Sequence, residues 1–80
     1  MRILYFARLR EAFGAYEDIM LPQGVTDAGG LVALLEARGG KWHDELAKPF
    51  RLAVNRQMAG LDAAVNNGDE VAIFPPVTGG

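Results

Sequence analysis

Hydrophobic and polar positions divide this chain into short segments of two different periods. The first apolar run, Ile3 to Ala7, is continuous and mixes β-branched with aromatic residues, which predicts a strand buried on both faces. Its continuation, Arg8 to Gly14, fits a helical turn and a loop equally well. Glu17 to Leu21 predicts a second short strand, closed by the turn residues Pro22, Gln23 and Gly24, so the two strands form a hairpin with a long connection. Thr26 or Asp27 caps a helix running to about Arg38. Leu31, Leu34, Leu35 and Arg38 recur at helical spacing, with the three leucines as the buried stripe and Arg38 marking its end. Gly39 or Gly40 supplies the left-handed stop. Gly29 and Gly30 each cost about 1 kcal/mol relative to Ala inside a helix, so the helix is expected to start late or fray.

Lys41 to Phe50 reads as an irregular or short helical connection, with Trp42 toward the core and His43 at the surface or half-buried. Arg51 to Asn55 alternates as a third strand with Leu52 and Val54 on one side, and Asn55 to Met58 turns tightly into a short edge segment. Asn66-Asn67-Gly68-Asp69 is a turn, and Glu70 to Phe74 is the last strand, with Val71 and Ile73 inward and Ala72 and Phe74 outward. Gly14, Gly24, Gly60 and Gly68 read as turn glycines; Glu17-Asp18 and Asp69-Glu70 read as solvated turn charges. This order predicts an α+β domain over residues 1–74: one mixed sheet, one main helix across one face, and the last strand returned beside the first by a right-handed crossover. The opposite face has no helix to cover it, so apolar residues there mark a partner surface.

Composition narrows the function classes. Eighty residues make one domain with a thin core and little room for a deep private pocket. The absence of Cys removes disulfides, thiolate-bound metals and thiol nucleophiles, and the lone His43 does not make a metal site. Eight scattered Lys and Arg against ten Asp and Glu give a net charge of −2, with no cationic cluster for nucleic acid. The apolar stretches are far shorter than the roughly 20 residues a membrane span needs, and the N-terminal run is too short for a signal peptide. The expected setting is the cytoplasm.

The last six residues, Pro75-Pro76-Val77-Thr78-Gly79-Gly80, carry the most chemistry. Two prolines end the strand and send the chain out as an extended, semi-stiff tail. Its reach of roughly 20 Å exceeds the domain radius of about 12 Å, which suits insertion into another protein's active site. Gly79 and Gly80 lack a Cβ, so the backbone can thread a narrow channel, with a terminal carboxylate unhindered for attack on the α-phosphate of ATP. Sulfide or a thiol can then displace AMP from the acyl-adenylate.

The stretch from Asn67 to Gly80, ending Phe74-Pro75-Pro76-Val77-Thr78-Gly79-Gly80, resembles the C-terminus of the small subunit of molybdopterin synthase. Phe6-Ala7-Arg8-Leu9-Arg10-Glu11 is similar to that family's exit from its first strand, and Leu52-Ala53-Val54-Asn55 to its middle strand. The resemblance implies a ubiquitin-like β-grasp domain and a role in sulfur delivery. An E1-like adenylyltransferase adenylates Gly80 with ATP, and a sulfur donor protein converts it to a thiocarboxylate. The tail then enters the large synthase subunit, in a 2+2 heterotetramer. There its sulfur attacks cyclic pyranopterin monophosphate, and two cycles build the dithiolene. Residue by residue, Gly80 matches the activated glycine and Gly79 its neighbour, with Pro75, Pro76, Val77 and Thr78 as the inserted spacer. Phe74 matches an apolar docking contact, and Arg10 a basic residue that pairs with a partner's carboxylate. No permanently bound cofactor is implied; ATP belongs to the activating enzyme and the sulfur is covalent on Gly80. The alternatives are a sulfur carrier for thiamine thiazole synthesis, which typically lacks the Pro-Pro-Val spacer, and a ubiquitin-like modifier joined to lysines through Gly80.

Overall fold

The computed structural model describes residues 1–76. Its elements run β1 (Arg2–Tyr5), α1 (Arg8–Phe13), β2 (Tyr16–Asp18), α2 (Ala28–Glu36), α3 (Lys41–Leu46), β3 (Arg51–Val54), β4 (Gln57–Ala59) and β5 (Glu70–Phe74). The five strands form one mixed sheet in the order β2-β1-β5-β3-β4. β1 and β5 lie parallel at its centre, with Ile3 opposite Val71 and Tyr5 opposite Ile73. β2 and β3 flank them antiparallel, and β4 closes the far edge against β3. The α+β layering and the return of the last strand beside the first are as the order of segments predicts.

β1 alternates instead of burying both faces. Ile3 and Tyr5 are buried among the helices, while Leu4 is half-buried on the opposite side. The helices cover only one face, so period-two geometry divides even an unbroken apolar run between core and surface. The strand also ends earlier than its apolar run, because the Phe6 carbonyl already accepts the N–H groups of Leu9 and Arg10 and starts α1. The segment 8–14, open from sequence, is therefore helical, and buries Leu9.

α2 corrects two expectations. Its buried side is Ala28, Leu31, Val32 and Leu35, while Leu34 is only half-buried. The helix starts at Ala28 and includes both glycines, with the Asp27 carboxylate capping the Gly30 N–H at 2.8 Å. A distant segment holds that first turn in place. Ala28 N–H donates to Ala63 O at 2.9 Å, Gly29 N–H to Leu61 O at 2.7 Å, and Val65 N–H to Thr26 O at 3.0 Å. A Cβ on Gly29 would stand 3.2 Å from Leu61 O, so glycine permits the close approach that sets which side of the helix faces inward. Tertiary hydrogen bonds here outweigh weak propensity.

The β3–β4 hairpin turns on two residues, Asn55 and Arg56, with φ of 50° and 68°. Positive φ at both central positions is the type I′ geometry whose twist suits a two-residue hairpin. The Asn55 side chain joins that hairpin to the start of β5, donating to Asp69 Oδ1 and accepting the Glu70 N–H, each at 3.0 Å. Asp69 is exposed at its turn, as the sequence suggests, and also accepts from the Asn55 side chain and the Asn66 N–H.

Candidate functional site: the open sheet face and the exit of β5

The cross-strand register places Tyr16, Leu4, Ala72, Ala53 and Met58 in one continuous row across all five strands, on the face that no helix covers. Ala72 is outward as expected, and so is half-buried Phe74, paired with Arg51 one step further along the same face. Phe6 continues the parity of Leu4 beyond β1 and donates its N–H to Ile73 O at 3.2 Å. Tyr16 is 54% exposed, Met58 61% and Phe6 44%, so this face presents large apolar side chains to solvent. Charge borders the patch. Arg2 pairs with Asp18 at 2.9 Å and its guanidinium lies 4.4 Å from the centre of the Tyr16 ring. Arg10 and Arg51 are exposed and have no ion pair among the described residues.

Because β1 and β5 are parallel, their C-terminal ends coincide, and everything that follows each strand emerges together. Phe6 and α1 leave one strand where Phe74, Pro75 and Pro76 leave the other. The geometry gathers Arg10, Phe74, Pro75 and Pro76 at a single end of the domain. Pro75 and Pro76 are half-buried, so the start of the tail rests partly on the domain. Val77, Thr78, Gly79 and Gly80 lie outside the described residues.

Sequence reading singled out Phe74 and Arg10 but missed Phe6, Leu4, Tyr16 and Met58. Only strand pairing puts residues 4, 16, 58 and 72 side by side. The signal available beforehand was the parity of β5, which turned Ala72 and Phe74 away from the core.

The helix face carries a separate polar cluster. Tyr5, buried beneath it, donates its hydroxyl to Glu17, and Arg38 binds the same carboxylate through two N–H groups. Burial pushes the Tyr5 phenol far above its ordinary value, reinforced by the Glu17 carboxylate. For Glu17 burial acts upward, yet the Arg38 and Tyr5 hydrogen bonds together outweigh it and hold the carboxyl below its ordinary range. Arg38 also lies 4.4 Å from the Trp42 ring centre, and Trp42 stacks on Phe13 with centroids 3.8 Å apart. Trp42 accordingly packs against the core, and His43 is exposed. This cluster joins β1, β2, α1 and α3 and is architectural. Among the described residues no three His, Asp or Glu side chains converge on a point that could hold a metal. Two shallow grooves, one between Ile19, Pro22 and Leu34 and one between Leu21–Thr26 and Ala64–Asn67, include neither Arg10 nor residues 74–76. Among the described residues no helix is long and apolar enough to cross a membrane.

A central parallel pair flanked by antiparallel strands, with the longest helix across one face, is the ubiquitin-like β-grasp. A family model described as the ThiS family matches residues 3–80, and the chain belongs to that family. The molybdopterin synthase sulfur carrier subunit of Haemophilus influenzae is 40% identical over 81 residues, covering 100% of this chain and 99% of that protein. A Pyrococcus furiosus protein of known structure is 28% identical with a TM-score of 0.75, covering 95% of each chain. The complex of subunits 1 and 2 of the molybdopterin-converting factor from Helicobacter pylori contains a chain of the same fold, with a TM-score of 0.67 and 22% identity over 99% of this chain and 96% of that one.

Proposed function

We propose that this protein is the sulfur carrier subunit of a molybdopterin synthase, docking through its open sheet face and delivering sulfur from Gly80. The observation that carries the reading is end-to-end similarity to a named carrier subunit, within a family match that runs through Gly80. In the first step the Gly80 carboxylate attacks the α-phosphate of ATP within an E1-like adenylyltransferase, forming the acyl-adenylate and releasing pyrophosphate. Hydrosulfide equivalents from a sulfur donor protein then displace AMP, leaving the thiocarboxylate and a proton. The charged carrier docks on the large synthase subunit. Its sulfur forms a C–S bond to cyclic pyranopterin monophosphate as a C–O bond of that substrate breaks, the oxygen leaving on phosphate or as water. A second water then cleaves the acyl link to leave the sulfur on the pterin and return the carboxylate.

The architecture suits this division of labour. In this reading activation is left to the partners, and the domain contributes a docking surface and the tail that follows it. Phe74 lies where the apolar face meets the start of the tail, so docking on that face brings Pro75-Pro76 to the same partner. Arg10 is exposed on α1, and in this reading its guanidinium pairs with a partner carboxylate. The cytoplasm, where ATP is available, is the corresponding location. Incubation with ATP, the activating enzyme and the sulfur donor should raise the intact mass by the difference between sulfur and oxygen, with the change confined to the C-terminal peptide. No mass change rejects the carrier reading, and conjugates on lysines of other proteins redirect it to a modifier.

A further inference from the structure

α1 and α3 begin on the same backbone turn, built from different residues. Gly40, ahead of α3, holds φ 54° and ψ −128°; Ala7, ahead of α1, holds φ 52° and ψ −130°. This corner of the backbone map belongs essentially to glycine, because the Cβ of an L-residue collides there with its own backbone. The fold meets that demand with glycine at position 40 and ignores it at position 7. The Ala7 methyl is exposed, so no buried contact offsets the strain. Hydrogen bonds on both sides hold the joint: Phe6 N–H to Ile73 O at 3.2 Å, Leu9 and Arg10 N–H to Phe6 O at 3.1 and 3.3 Å, and Glu11 N–H to Ala7 O at 3.1 Å. What differs between the two turns is their neighbourhood. Gly40 precedes α3, which packs beside α1 through the Phe13–Trp42 stack and the Arg8–Glu45 pair but carries none of the open-face residues, whereas Ala7 separates Phe6, on the open face, from Arg10.

We propose that Ala7 is a positioning residue for docking: a narrow-welled joint that fixes Phe6 and the α1 residue Arg10 in one mutual geometry beside Phe74. The inference rests on the docking role assigned above to this face. Buried Leu9 and the Arg8 bonds to Glu45 and Pro49 hold the body of α1, so what the joint governs is residues 6–10 themselves. Glycine at the same φ and ψ occupies a broad basin there, whereas the methyl confines the joint to a small region. Restricting these groups before contact removes ordering cost from the binding step.

The test compares three versions of the chain on the large synthase subunit by calorimetry. Ala7→Gly should melt at or above the temperature of the parent chain, because strain is relieved, yet bind about three- to tenfold more weakly. Its amide order parameters over residues 6–10 should fall. A semisynthetic chain with D-alanine at position 7 finds this φ and ψ relaxed while keeping a methyl restriction, so it should melt higher and bind as the parent does. The proposal is overturned if Ala7→Gly binds as tightly as the parent, if it melts lower, or if D-alanine weakens binding as much as glycine. Phe74→Ala and Arg10→Ala run on the same partner separate the two layers. If both bind normally, the docking reading fails and this inference with it; if they weaken binding and Ala7→Gly does not, this inference alone fails.

Discussion

Arg38 grips Glu17 through two N–H···O bonds, Nη1 to Oε1 at 2.8 Å and Nη2 to Oε2 at 3.1 Å, and so ties the end of α2 to the edge strand β2. The same carboxylate receives the hydroxyl of Tyr5, whose ring lies in the core. Replacing Glu17 by Ala leaves that hydroxyl and the guanidinium without their shared acceptor. Since Arg38 and Glu17 are each about a third exposed, the cost should be held to about 1–3 kcal/mol, read from urea denaturation. Arg38→Ala should cost less, because Tyr5 keeps its acceptor and only the exposed partner and its Trp42 contact are lost.

The pH profile follows from the same pair. Glu17 is held below its ordinary value of 4.5 in the folded chain, so its contribution is present above that value and is lost as pH falls toward the folded one. Tyr5 is raised above its ordinary 10.0, so its contribution is complete below that value and drains away as pH rises beyond it. Melting temperature should therefore be level across neutral pH, falling on the acid and alkaline sides. Glu17→Gln should flatten the acid limb; an unchanged acid limb would place the sensitive carboxyl at Asp18, Glu45 or Asp69, which are also held below their ordinary values by hydrogen bonds.

The two sides of the domain should respond differently to added charge. Met58→Glu puts a carboxylate into the row that crosses the open face, and should weaken capture by the large synthase subunit by about 1–3 kcal/mol with the fold intact. Phe74→Ala should have an effect of similar size. Met20→Glu, on the helix side beside Leu34 and Pro22, should leave binding unchanged. Equal loss in Met20→Glu and Met58→Glu would contradict docking through the open face.

One residue appended after Gly80 should leave the melting temperature unaltered, while eliminating thiocarboxylate formation, because the reacting carboxylate moves out of register. An extended chain that still gains sulfur on its last residue removes the requirement for that register.

Glycine positions separate propensity from tertiary constraint. Gly68 has a negative φ and open space where a Cβ would stand, so Gly68→Ala should stabilise by about 0.4–1 kcal/mol. Gly29→Ala ought to gain on helix propensity alone. Its Cβ would instead press on Leu61 O, which also accepts the Gly29 N–H, so thermal melts should show a net loss of stability.

Much of this molecule is local and therefore legible along the chain. Turn chemistry at Asn66–Asp69, the cap at Asp27, the alternation of Val71 and Ile73, and the stop at Pro75-Pro76 are decided by residues within a few positions of one another. The α+β class, the inward face of β5 and the similarity running through Gly80 follow from such neighbours. Short-range periodicity cannot say which strands pair. That is why β1 reads as buried on both faces, why the side of α2 that faces inward needs Leu61 to explain it, and why Glu17 passes for a turn charge until Tyr5 and Arg38 close on it from 12 and 21 residues away. The apolar row from Tyr16 to Met58 is the clearest case. Its members come from separate segments and meet only because the parallel β1–β5 pair sets the register of everything hung on either side, and burying one face of that sheet necessarily leaves the other bare.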